Sequence, residues 1–265
     1  MYNLIKAQNY QLWRDNYIIY VLIGVVGMTV MNLVASIQSI VDLGEPVNGG
    51  FFTSMGATAY SLIYMALALG FSVRICGWDF NDKTLNYEIL AGHTRNEVFW
   101  SRAVLSLIWV FAFAVALTVL PYCGVVIAGG WGMNMSFGGA LVRFGLAFLM
   151  LLRITCFFIF LTFVVKNCFV SLFLGYLLMM MPMVAVMMIN EFTKIEITYQ
   201  LTSYAMMSVL DFSNYQLGYV DGGDIVQFIT DTDPEFIIGT VVMSLVLSAV
   251  YLLLGYTIFR KSDVH

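Results

Sequence analysis

Charge is scarce in this chain: 11% of its 265 residues are Asp, Glu, Lys or Arg, against 61% that are hydrophobic. Soluble domains carry about a quarter charged residues, and a surface built with so few cannot be kept in water. A mean hydropathy of +0.87 agrees, and lipid is the expected solvent. Basic residues are scarcer than acidic ones, 12 against 16, and a net charge of −4 leaves no cationic face to displace counterions from phosphates, which excludes nucleic acid as a partner. Histidine occurs twice, as His93 and His265, and neither has a second ligand nearby in sequence, so no metal site is expected. The four cysteines, Cys76, Cys123, Cys156 and Cys168, have no C-x-x-C spacing and read as small hydrophobes. Also missing are H-E-x-x-H, G-x-S-x-G and a Gly-rich loop closing on Lys-Ser or Lys-Thr. No catalysis, bound cofactor or ATP site of its own is therefore expected of this chain.

What is present is a series of apolar runs near the 20 residues that a helix needs to cross hydrocarbon. Six appear: Tyr17–Val41, Phe51–Val73, Ala103–Ile127, Phe144–Val165, Cys168–Ile189 and Phe236–Phe259. Their length suits helices, which satisfy their backbone internally, and not the ten-residue alternating segments of a barrel. The expected fold is an all-α integral membrane protein, one domain over 1–265 with six transmembrane helices. The first run is too long for a signal-peptide core and lacks a small-residue cleavage pattern, so it is expected to stay as a spanning anchor.

Orientation follows from the basic residues, which are retained on the cytoplasmic side. With the N-terminus inside, Lys6, Arg14, Arg74, Lys83, Arg95, Arg102, Lys166, Arg260 and Lys261 fall in cytoplasmic segments. Only Arg143 and Lys194 fall outside, and Arg153 lies within a span. Both termini are thus expected in the cytoplasm. The outer side collects acids such as Asp42, Glu45, Glu191, Asp211 and Asp231, a solvated loop or a collector of cations.

Three segments outside the spans carry information. Residues 1–16 mix Leu4, Ile5, Leu12 and Trp13 with Lys6, Gln8, Asn9 and Arg14, which predicts an amphipathic interfacial helix with its aromatic residues at headgroup depth. Residues 74–102 predict a short helix capped by Asp79 or Asn81, with Asp82 and Glu88 on its polar side, Leu85 and Ile89 one turn apart, and Gly92 as a left-handed stop. Thr94-x-x-Glu97 is then a capping box that opens the next helix roughly 10 Å before the membrane core. Such a knob is an ordinary capped hairpin or a docking element, and the aromatic residues Trp78, Phe80, Tyr87, Phe99 and Trp100 beside charges of both signs suit a protein contact. Residues 190–235 are too polar to cross and are expected to dip into the outer leaflet or cap the bundle, with turns at VDGGD and TDTDP.

Within the spans no Asp or Glu occurs, which weighs against a proton- or sodium-coupled carrier. Arg153 is the exception to an uncharged interior. It is expected to face the bundle interior, a cavity or a partner, where it lines a translocation path or holds an anionic group, or else bonds to backbone carbonyls or an outer acid such as Asp211. Pro121 and Pro182 permit kinks, and the Met-rich run at 179–188 suits a core or an adaptable apolar surface.

Six spans, an amphipathic N-terminal helix and a long outer segment before the last span resemble the ABC-2 family of ABC-transporter permeases. The stretch FNDKTLNYEILAGHTRNEVFWSR is similar to that family's loop between its second and third spans, with Thr94 where relatives more often carry Ser. The resemblance implies the membrane half of an exporter in a cell membrane, of the bacterial plasma-membrane kind. Its partners would be a second permease chain, identical or similar, and separate cytoplasmic ABC ATPase subunits that hold the ATP and Mg. These would seat on the 79–95 knob, making Asp79, Asp82, Lys83, Thr84, Glu88, Arg95 and Glu97 the coupling residues. Small members of this family resemble permeases for antibiotic peptides, drugs or lipid-linked molecules. A non-transporting scaffold, receptor or immunity protein that docks a cytoplasmic partner is the alternative.

Overall fold

A computed structural model of the chain describes residues 2–42, 47–81, 85–132, 137–193, 218–219, 226–227 and 234–261, with backbone alone at 36, 39, 50–62, 86, 143, 179–180, 182–187, 189–193, 218–219, 226–227 and 235–236. The helices are α1 (Tyr2–Trp13), α2 (Asn16–Asp42), α3 (Gly49–Asn81), α4 (Leu85–Leu90), α5 (Arg95–Gly129), α6 (Phe137–Val165), α7 (Cys168–Thr193) and α8 (Pro234–Lys261). A two-residue antiparallel pair, Gly218–Tyr219 with Val226–Gln227, is the one other regular element among the described residues. Among the described residues five helices are long and apolar enough to cross a membrane: α2, α3 over Ile63–Asn81, α5, α6 and α8 over Ile237–Lys261. By the same measure α7 contributes the shorter apolar stretch Cys168–Leu178. The chain is therefore helical and compatible with a multi-pass membrane protein.

Hydroxyl groups inside these helices show how polar side chains are accommodated there. Thr29, Thr118, Thr155, Thr162 and Ser248 each donate to the carbonyl four residues back, at 2.6–2.9 Å. The helix thus absorbs its own polar side chains, and none of these five has to find a distant partner.

The long helices run to and fro between two ends. At one end the α2–α3 connection meets the end of α5: Gly49 N–H donates to the Gly130 carbonyl at 3.0 Å, and Tyr122 Oη donates to the Gly49 carbonyl at 3.1 Å. At the other end lie α1, α4 and the ends of α3 and α8. Helix α3 is central, packing against α2, α5, α6 and α7, while α6 packs most extensively on α8. Helices α6 and α8 run in the same direction, with ring pairs Phe157–Tyr251 at 5.4 Å and Phe163–Phe259 at 5.0 Å.

Several expectations change. Helix α3 does not stop at Val73 but continues eight residues to Asn81. Hydropathy falls there, yet helical backbone satisfies itself in any solvent, and Ile75 and Cys76 still point into the core at 6% and 0% exposure. Asp79 and Asn81 consequently belong to α3 and cannot cap α4. Helix α6 starts at Phe137, seven residues before Phe144. In the Met-rich run, Met181 and Met188 are exposed, and the side chains of 179–180 and 182–187 lie outside those described. Of residues 190–235, the stretch TYQLTSYAMMSVLDF, including Asp211, lies outside the described residues.

Candidate functional site

The end of the bundle that gathers α1, α3, α4, α5 and α8 is built from the start of α5 upward. Thr94 takes extended backbone, φ −74° and ψ 149°; its Oγ1 accepts from Glu97 N–H, and the Glu97 carboxylate accepts from Thr94 N–H at 3.2 Å. That reciprocal pair is the capping box the sequence spells, and it satisfies two of the donors a helix start leaves open. The Thr94 N–H, first among several contacts, holds the exposed Glu97 carboxyl below its ordinary range. His93 Nδ1 lies 3.8 Å from the same carboxylate. Gly92 adopts φ +95°, the left-handed turn expected of it, and lets the chain reverse between α4 and α5.

Seven residues into α5 sits a group whose role the orientation count alone did not reveal. Arg102 is 1% exposed, its Nη1 2.6 Å from Asp79 Oδ2 and its Nη2 donating to Glu88 Oε2 at 2.9 Å. One guanidinium thereby joins α3, α4 and α5. Glu88 also accepts from Gln8 Nε2 at 3.2 Å, which brings in α1. The signal was present: Val98, Phe99, Leu105 and Trp109 form one apolar stripe of helical period, and Arg102 is a cation in its middle. A buried charge in such a stripe requires partners, although the sequence does not say which.

Two further straps hold α1. Trp109 Nε1 donates to Asn9 Oδ1 at 2.8 Å, with the Trp13 ring 5.0 Å from that of Trp109. Asp15, in the turn between α1 and α2, pairs with Arg74 of α3, whose guanidinium lies 4.1 Å over the Trp78 ring. Elsewhere at this end, Arg95 Nη1 donates to the Arg260 carbonyl at 3.0 Å, filling one of the acceptors that α8 leaves open, and Asn81 Oδ1 accepts from Cys168 N–H at the start of α7.

The residues expected to couple to a partner therefore divide. Asp79 and Glu88 hold Arg102, Arg95 holds α8, Glu97 caps α5, and Asp82, Lys83 and Thr84 lie outside the described residues. The aromatic residues also divide. Phe99 is fully buried and Phe80 stacks edge-on to Phe163 at 5.9 Å, within a cluster that includes Phe259, so these rings cement the bundle. Trp78 is covered by Arg74 and Phe169, and Trp100 by Phe99 and Tyr256. Outward presentation falls to α4, where Tyr87 is 70% and Leu90 81% exposed, three residues apart on one face. Leu90 was not singled out by sequence.

Arg153 lies deep in α6, away from this end, and is 1% exposed, so it faces the interior and not lipid. Tyr251 of α8 stands within electrostatic reach of it, and the neighbouring α8 hydroxyls Thr240, Ser244 and Ser248 are buried too. Compared with known protein families and with curated proteins, the chain matches none.

Proposed function

We propose that this chain is the membrane-spanning subunit of an ATP-driven exporter of the ABC-2 kind, with α7 as a sixth span and the α4 end in the cytoplasm. The observation that carries this reading is the elbow itself. A six-residue helix with exposed Tyr87 and Leu90 is fixed through buried Arg102 to α3 and α5, so that a push on its outer face is passed to two long apolar helices at once. An element clamped from behind and apolar in front suits a partner that applies force. The basic excess at the same end supports a cytoplasmic location. ATP and Mg would be held by the partner ATPase, a second permease chain would complete the path, and Arg153 would line it. The substrate class that the resemblance supports is an apolar or amphipathic molecule such as an antibiotic peptide, drug or lipid.

The test is co-purification with a cytoplasmic ABC ATPase. Changing Tyr87 and Leu90 to Asp should abolish the complex and the export of peptide or drug together while the chain still folds. Export that persists without any ATPase would remove the reading, and a chain that binds a partner without ATP dependence would favour the scaffold or receptor alternative.

A further inference from the structure

Helix α1 turns its apolar side into the bundle, with Leu4 at 6% and Leu12 at 8% exposure, and leaves a different face open. Tyr2, Lys6 and Tyr10 follow one another at intervals of four along one side of the helix, and Arg14 stands in the turn that follows it. All four are exposed, Tyr2 at 78% and Tyr10 at 60%, and the Arg14 guanidinium lies 4.7 Å over the Tyr10 ring. The ring holds an exposed guanidinium, whose planar fork of N–H donors is suited to a phosphate. No acid competes for these cations on the helix: α1 contains none, Asp15 is held by Arg74, and Glu88 by Arg102 and Gln8.

The height of the stripe identifies its occupant. Asp15 is tied to Arg74, seven residues short of the end of α3, so α3 overhangs the α1–α2 turn by about 10 Å. Immediately past that turn α2 presents Ile19, Tyr20 and Ile23 outward at 48%, 70% and 64% exposure, apolar surface that belongs in hydrocarbon. The stripe thus stands where hydrocarbon gives way to headgroups, the layer in which amphipathic rings and cations settle. We infer that the Tyr2–Lys6–Tyr10 side of α1, continued by Arg14 over the Tyr10 ring, binds the phosphate headgroups of anionic phospholipid. The inference rests on embedding in lipid alone, not on export or an ATPase.

The full chain, purified in detergent and offered equal amounts of phosphatidylglycerol and phosphatidylcholine, tests it by native mass spectrometry of the retained lipid. Phosphatidylglycerol should be retained in excess. Lys6→Gln with Arg14→Gln should cut that excess by about fivefold per cation, roughly twenty-five-fold for the pair, whereas Lys6→Arg should keep it. Unchanged retention in the glutamine pair would overturn the proposal, as would an equal fall on changing Arg260 and Lys261 to Gln. Displacement of the lipid by an equal concentration of inorganic phosphate would also overturn it, by making the stripe a site for free phosphate.

Discussion

Arg102 illustrates how much one side chain settles at this end of the molecule. Its charge is taken out of solvent and returned two carboxylates, so removing it leaves both acids facing each other across a covered gap. Breaking a buried pair costs about 3–5 kcal/mol, and Asp79 and Glu88 retain 26% and 22% exposure, which places Arg102→Gln near the lower bound. The expected outcome is a fall in Tm in detergent, largely recovered when Asp79→Asn and Glu88→Gln are added. No recovery would mean that the guanidinium matters for packing and not for charge. Glu97 is a second residue with a calculable response. Its carboxyl is depressed, so its contribution to the α5 start is complete above the ordinary carboxylate range near 4.3 and is lost as pH falls through the lower folded value. The protection of the amides at 94, 97 and 98, taken relative to their intrinsic exchange rates, should therefore fall in acid, and Glu97→Gln should remove that pH dependence.

Among the elements, what the sequence disclosed and what it concealed separate by range. The start of α5 was legible because a capping box is complete within four residues, and Gly92 because a left-handed turn is a property of one residue. The end of α3 was not legible, since Arg74 and Asp79 look like loop residues until their partners Asp15 and Arg102 are brought from distant parts of the chain. The apolar rings of Phe80 and Phe99 likewise gave no sign whether they faced a neighbour within the chain or a partner outside it. At the opposite end the joining of α2, α3 and α5 depends on close backbone approach. A Cβ on Gly129 would overlap the Val47 carbonyl oxygen, and one on Gly49 would come within 2.8 Å of Val126 Cγ2. Gly129→Ala should destabilise the chain by about 1–3 kcal/mol, as overpacking does, while Ala at the open Gly124 should not. Thermal unfolding of the two variants side by side checks this.

For the molecule as a whole, helices α2 and α8 keep much of their apolar surface uncovered, with Met31 at 74% and Ile238 at 63% exposure. Such faces are ordinary against lipid and untenable in water. Cysteine placed at Leu90 should react with an impermeant thiol reagent only when the cytoplasmic face of the membrane is open to it. Labelling of that position in intact cells would invert the proposed orientation, and the exposed Cys123 replaced by Ala gives the clean background.

The overhanging end of α3 carries its two straps five residues apart, which places Arg74 and Asp79 about 140° from each other around the helix axis. One holds the turn between α1 and α2, and the other holds Arg102 of α5 and through it α4. A helix pinned on two sides in this manner cannot spin alone: any turning of the α3 shaft drags its flanking elements with it, so torque, and not merely tilt, is shared across the whole rim.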